Sequence, residues 1–125
     1  MSHILASSVL SDEGVMTLLT AAISAASQMG QPQCIVIVDQ SGVTLGSFRM
    51  RGSRFQSLKS ALAKALTSAS IGAPSHSLAE HARVPLAIAT VGGTLVGGIG
   101  VGSGSGEQEE QVARAALKAI GADID

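Results

Sequence analysis

Arginine and lysine side chains gather in the middle of the sequence. Five of the eight cationic residues of this 125-residue chain are Arg49, Arg51, Arg54, Lys59 and Lys64. Guanidinium groups bind carboxylates and phosphates through paired hydrogen bonds, so this cluster is a candidate rim for an anionic ligand. An ordinary solvated surface is the alternative interpretation of the same residues.

Two of the three histidines stand in one segment, SHSLAEHARV, at 75–84. Because imidazole titrates near neutral pH, His76 or His81 could ligate a haem iron or another metal, or transfer a proton. The spacing is not that of the HExxH motif of zinc proteases. A surface connection with one helical turn is the alternative.

Three glutamates follow a glycine-rich bend, GVGSGSG, at 100–106. The bend suggests a phosphate loop, but the GxGxxG spacing fails at Ser105 and no P-loop lysine follows. Carboxylates in the first helical turn would also repel a phosphate. Glu107 and Glu110 instead form an ExxE pair on one helical face, where carboxylate oxygens could hold iron or calcium. Favourable capping of the helix dipole by Glu107, Glu109 and Glu110 is the alternative.

Hydrophobic periodicity predicts the elements that position these residues. A first helix covers about 12–29, begins after the capping Ser11 and has one apolar face. Two β-rich runs, 33–39 and 43–50, predict a hairpin, and 85–91 and 94–101 predict another around Gly92-Gly93. A closing helix begins at Glu107.

A second helix is predicted over about 53–70. Its apolar residues recur every three or four positions and predict the buried stripe: Phe55, Leu58, Leu62, Leu66 and Ala69. The opposite face is made of serines and threonine around Lys64. Such small side chains could pack closely on a partner or line a pocket, and this is a second hypothesis for that face.

Composition limits the classes of protein. The length suits a single domain, 1–125, and apolar residues make up 46% of the chain while aromatic residues make up 2%. A core of such small side chains would gain from self-association, so we expect a homo-oligomer. With a net charge of −1 and two stacking aromatics, we expect no nucleic-acid partner.

The remaining composition signals concern redox chemistry and location. The single cysteine, Cys34, excludes an internal disulfide and opens an apolar run, so a buried thiol is expected. We see no secretory signal and no apolar segment long enough to cross a bilayer. The sequence therefore predicts a cytoplasmic protein without a membrane partner.

The stretch 84–117, VPLAIATVGGTLVGGIGVGSGSGEQEEQVARAAL, resembles the GlcG/HbpS-like haem-binding family, also found as the C-terminal domain of PduO-type corrinoid adenosyltransferases. The pair Val38-Asp39, the FRM-x-G run at Phe48–Gly52, Lys64-Ala65 and the Gly-x-Pro at Gly72–Pro74 match as well. The resemblance covers nearly the whole chain. It implies a profilin-like α+β fold, with one antiparallel β-sheet flanked by α-helices, that assembles into dimers or larger oligomers.

The resemblance also implies haem as a ligand and, in one branch of the family, haem degradation with iron held by ExxE carboxylates. Our first hypothesis is a small protein that binds haem or another anionic cofactor. Arg49, Arg51 and Arg54 would pair with the propionates, and His76 or His81 would approach the iron. Glu107 and Glu110 offer the ExxE pair.

Two alternatives belong to other classes. The first is a cofactor-independent catabolic enzyme, an isomerase, tautomerase or hydratase, that acts on a small carboxylate-bearing substrate. Arg54 or Arg51 would hold the carboxylate, Lys64 would neutralise developing charge, and a histidine such as His81 would move the proton. The second is a non-catalytic accessory or structural subunit.

Overall fold

The computed structural model describes residues 3–71 and 87–124. In chain order the elements are α1 (Asp12–Gln28), β1 (Cys34–Val38), β2 (Thr44–Arg49), α2 (Ser57–Ile71), β3 (Ala87–Val91), β4 (Thr94–Gly102) and α3 (Gly106–Ala119). Both predicted hairpins and the three predicted helices are confirmed. The bounds differ from those predicted by a few residues, most at α2, which begins four residues later.

The four strands form one antiparallel sheet in the order β2-β1-β4-β3. Strands β1 and β4 are central, and their register places Cys34 opposite Gly102 and Val38 opposite Gly98. Every residue of β1 is buried because helices cover both faces of the sheet. The predicted α+β arrangement of a single antiparallel sheet flanked by helices is confirmed.

Alternate residues of β1 belong to two different cores. Ile35 and Ile37 lie in the larger cluster, which packs the sheet against α1 and α3. Cys34, Val36 and Val38 lie in a smaller cluster with the alanines of α2. This alternation follows from the two-residue period of a strand. Cys34 is a buried free thiol, as predicted.

Helix α2 buries a different face from the predicted one. Its buried residues are small: Ser57, Ala61, Ala65, Ser68 and Ala69. Of the predicted stripe only Ala69 is buried, whereas Leu58 and Leu62 are half-buried and Phe55 and Leu66 are exposed. Of the opposite face predicted around Lys64, Ser57 and Ser68 are buried against the sheet of the same chain, whereas Ser60 and Thr67 are exposed.

Glycines on β4 explain why α2 buries its small side chains. A Cβ on Gly98 would stand 2.5 Å from the carbonyl oxygen of Ala65, and one on Gly102 would stand 2.6 Å from that of Ser57. A Cβ on Gly100 would overlap the carbonyl oxygen of Ala61. The helix backbone therefore lies directly on the strand, and leucines in between would force the two apart.

Side chains cap the N-termini of α1 and α3. Ser11 Oγ accepts a hydrogen bond from the Gly14 amide at the start of α1. At the start of α3, Ser105 and Gln108 form a reciprocal capping box. Within residues 3–71 and 87–124, no helix is both long enough and apolar enough to cross a membrane.

Candidate functional site

A buried ion pair joins α2 to α3. Lys64 Nζ lies 2.7 Å from Glu109 Oε1 and donates a second hydrogen bond of 2.8 Å to the carbonyl oxygen of Val101. The side chains are 12% and 8% exposed, respectively. Glu109 Oε2 accepts a hydrogen bond of 3.3 Å from the amide of Gly104. The pair therefore ties both helices to the end of β4.

Glu109, which the sequence analysis assigned only to dipole capping, is the buried acid of α3. Helical spacing in the sequence could have identified Glu109 as buried. It precedes Val112 by three positions and Ala113 by four, so it lies on the apolar face of the helix. Lys64 likewise is a charged residue beside the small residues through which α2 packs on the sheet. An acid and a base on buried faces of two helices can pair only if the fold brings those helices together.

The bend between β4 and α3 is held by Ser103. This residue has a φ of 79°, a left-handed conformation that side chains other than glycine rarely adopt. Its Oγ lies 2.6 Å from Ser57 Oγ and accepts a hydrogen bond of 3.0 Å from the amide of Arg54. Its carbonyl oxygen accepts a hydrogen bond from Gln31 Nε2 at 2.9 Å. The bend is therefore anchored to α2, to the turn before it and to the segment that follows α1.

The three predicted anion-binding arginines lie around a single turn at one end of the sheet. Arg49 ends β2 opposite Cys34 and donates a hydrogen bond of 3.2 Å from Nη1 to the carbonyl oxygen of Ser53. Arg51 and Arg54 follow within the same turn, and all three residues are exposed. The predicted binding of an anionic ligand by these three residues stays a prediction.

Exposed apolar side chains occur on β2, on α2 and in the turn between these two elements. Phe55 is 74% exposed, Leu45 of β2 41% and Leu66 of α2 39%. Leu66 is open because α2 packs on β1 and β4 through its small residues. Residues 40–71 contain no acidic side chain. We call Leu45, Phe55, Leu66 and the three arginines the cationic apolar face.

The predicted metal-binding pair, Glu107 and Glu110, lies near the start of α3. Glu107 is exposed, and Glu110 forms a half-buried ion pair at 3.4 Å with Arg114 on the same helix. Among the described residues, no group of three or more histidine, cysteine, aspartate or glutamate side chains could hold a metal ion. His76 and His81 lie outside the described residues.

The C-terminal segment closes onto the second hairpin through Asp123. Its Oδ2 accepts a hydrogen bond of 2.8 Å from the Gly93 amide and one of 3.2 Å from Thr90 Oγ1. Donation from the backbone of Gly93 is the main reason that the pKa of this exposed carboxyl is lowered from its ordinary value of 3.8.

A family model and similar solved structures point to the same protein family. Residues 10–118 match the family model described as haem degrading protein HbpS-like. Among curated proteins, none matches the sequence. The solved structure of HbpS is 32% identical, with a TM-score of 0.84, and the match covers 93% of each chain. A double mutant of HbpS from Streptomyces reticuli is 30% identical, with a TM-score of 0.85, over 94% of this chain and 91% of that one.

Two further solved structures are similar. A complex of PduOC with haem is 27% identical with a TM-score of 0.82, and the match covers 93% of this chain and 98% of that chain. The protein ORFY from Klebsiella pneumoniae shares the fold at 19% identity and a TM-score of 0.86, over 97% of each chain. With the family model matched over residues 10–118, the chain belongs to the HbpS-like family.

Proposed function

We propose that this chain binds haem on the cationic apolar face. The observation that carries the proposal is the likeness to the PduOC–haem complex, which extends over 93% of this chain at 27% identity. The description of the matched family as haem degrading points to the same ligand. A haem-binding role was also the first hypothesis from the sequence.

The chemistry of the face suits haem. Haem is a flat apolar macrocycle with two propionate carboxylates at one edge, so it needs exposed apolar side chains beside cationic groups. Phe55 offers apolar surface in the turn before α2, Leu66 offers it on α2 and Leu45 on β2. Arg49, Arg51 and Arg54 offer guanidinium groups for the propionates, with no acidic side chain in residues 40–71 to oppose them.

An iron ligand completes the proposal. His76 and His81 are the histidines that follow α2 in the sequence, and either imidazole could donate a nitrogen lone pair to the iron. We assign the axial position to one of these two residues. The function of the protein would then be to bind haem, and any degradation would depend on the iron chemistry that bound haem supplies.

Titration with hemin tests haem binding and its location separately. We expect a shifted Soret band at one haem per chain, and His76→Ala/His81→Ala should change its position because the axial ligand is lost. Arg49→Gln/Arg51→Gln/Arg54→Gln should weaken binding at least tenfold, since three charge-assisted contacts are removed. Lys118→Gln in the last turn of α3 is a matched control that removes a cation outside the face.

Two results would contradict this proposal. An unshifted Soret band with the native chain would reject haem as the ligand. A shifted band that the arginine variant leaves unchanged in affinity would reject the cationic apolar face as its site.

The other site predictions stay open to test. We propose iron binding by Glu107 and Glu110 as a separate property, to be checked by Fe(II) titration of Glu107→Gln/Glu110→Gln. Catalytic roles for Lys64, Arg54 and His81 stay predictions. For Lys64 the buried contacts with Glu109 and Val101 support a structural role. Cytoplasmic location also stays a prediction, and we propose self-association, as the composition suggests.

A further inference from the structure

Ser103 has a strained backbone in a bend made largely of glycine. Its φ of 79° lies in the left-handed region, where glycine fits without strain and serine does not. Strain of this kind persists only where the surroundings of the residue compensate for it, and it clusters at functional sites. The contacts of the Ser103 side chain therefore indicate what the serine contributes.

The hydroxyl of Ser103 is hydrogen-bonded both as a donor and as an acceptor. Its Oγ donates to Ser57 Oγ at 2.6 Å and accepts from the Arg54 amide at 3.0 Å. The carbonyl oxygen of Arg54 in turn accepts from the Ser57 amide at 3.0 Å, and the Cys34 thiol approaches the same oxygen at 3.6 Å. Glycine at position 103 would relieve the strain, but it could make neither of the two side-chain contacts. The serine hydroxyl therefore fixes the backbone of Arg54 at the start of α2.

The rest of the turn between β2 and α2 is held by contacts of its own. The Ser53 amide and Ser53 Oγ both donate to the carbonyl oxygen of Met50, at 3.1 and 2.6 Å. The Met50 amide donates to the Gln33 carbonyl oxygen at 3.1 Å, and Arg49 pairs with Cys34 in the ladder between β1 and β2. Of the three arginines of the cationic apolar face, Arg54 is thus the one whose backbone is bound to the bend at Ser103.

We infer that Ser103 is a positioning residue for haem binding, which fixes the Arg54 backbone before the ligand arrives. An arginine on a preformed turn loses less conformational freedom when it binds a propionate than an arginine on a mobile turn. The inference rests on haem binding at the cationic apolar face, as proposed above, and adds a residue that lies outside that face. Ser103 acts through Arg54 and needs no contact with the haem.

Hemin titration of two serine variants tests this role. Ser103→Gly should weaken hemin binding about fivefold, the scale of one lost hydrogen bond, while relief of the strain limits the damage to folding. Ser105→Gly is the matched control, because it makes the same change two residues further along the bend. Ser105 Oγ accepts from the Gln108 amide of α3 at 3.1 Å and not from the arginine turn, so this variant should bind hemin within about twofold of the native chain.

A double variant separates positioning from a general effect on the structure. Arg54→Gln removes the guanidinium group that Ser103 is inferred to position. In that background Ser103→Gly should change hemin affinity by less than about twofold, because the two residues act on the same contact. A purely structural role would give an equal effect of Ser103→Gly in both backgrounds.

Amide hydrogen exchange tests the contact in the absence of hemin. The Arg54 amide should exchange at least about fivefold faster in Ser103→Gly than in the native chain, because its hydrogen-bond acceptor is lost. In Ser105→Gly it should exchange at the native rate. An unchanged rate in Ser103→Gly would overturn the inference, whatever the hemin titration gives.

Three results of the hemin titrations would also overturn it: native affinity in Ser103→Gly, equal weakening by Ser103→Gly and Ser105→Gly, or an undiminished effect of Ser103→Gly in the Arg54→Gln background. Each of these leaves haem binding itself in place and rejects the positioning role alone. A native chain that binds no hemin would reject the proposed function together with this inference.

Discussion

Lys64 Nζ lies 2.7 Å from Glu109 Oε1, and this contact ties α2 to α3 across the end of β4. The two side chains come from opposite sides of the sheet's carboxyl-terminal strand and meet where the chain bends into α3. Each charge is almost entirely removed from water, so each depends on the other for compensation.

Removing one member of this pair should destabilise the fold strongly. We expect Lys64→Met or Glu109→Gln to lower the free energy of unfolding by about 3 kcal/mol, because a buried polar or charged group loses its partner. The double variant should recover much of that loss. Urea unfolding measures the free energies of unfolding of the single variants and of the double variant. Glu110→Gln, which breaks the more exposed pair with Arg114, is the control and should cost less than about 1 kcal/mol.

This experiment also separates a structural Lys64 from a catalytic one. If Lys64→Met unfolds at the same urea concentration as the native chain, the ion pair does not stabilise the packing of α2 and α3. That result would favour the predicted catalytic role of Lys64.

Substitution of Gly100 should disturb the packing of α2. A Cβ at this position overlaps the carbonyl oxygen of Ala61, so the helix must move away from the sheet. We expect Gly100→Ala to destabilise the protein by at least about 2 kcal/mol, in the range of overpacked cores. Gly14→Ala is the control, because its Cβ would meet only side-chain atoms, Ser11 Oγ at 3.3 Å and Leu10 Cδ2 at 3.8 Å, and alanine favours a helix. Thermal unfolding followed by circular dichroism distinguishes them, and equal melting temperatures would contradict the close packing.

Ser103 should show opposing effects of backbone and side chain. Ser103→Ala loses the contacts with Ser57 and the Arg54 amide and keeps the strain of a positive φ. Ser103→Gly loses the same contacts but relieves the strain. We therefore expect the glycine variant to be the more stable of the two by about 1 kcal/mol in chemical denaturation. The reverse order would mean that the bend is not left-handed in solution.

Asp123 should make stability depend on pH in the acid range. Its pKa is lowered in the folded state, so it binds protons less readily there than in the unfolded chain, and its contribution to stability is present above the unfolded value of 3.8. That contribution is lost as the pH falls through the lower, folded value. The melting temperature of Asp123→Asn should lie below that of the native chain at pH 6, and the gap should close towards pH 3. A gap that does not change with pH would contradict the contact with Gly93.

Much of the fold could be predicted from sequence because its signals are local. The capping Ser11, the Gly92-Gly93 turn and the β-rich runs each predict an element from neighbouring residues. The cluster of Arg49, Arg51 and Arg54 could be predicted as neighbours because they stand within six positions. Glu109 could not be paired with Lys64, since 45 positions separate them and only the packed helices bring them together.

The sequence by itself determined the order of helices and strands, the two hairpins and the cationic character of residues 40–71. Tertiary structure decided which face of α2 is buried. Periodicity favoured the leucines, because larger apolar side chains gain more on leaving water. The glycines of β4 let the helix backbone lie directly on the strand, and only Ser57, Ala61 and Ala65 leave room for that approach. Leu58 and Leu62 therefore lie half-buried at the edge of the smaller core, and Leu66 is exposed on the cationic apolar face.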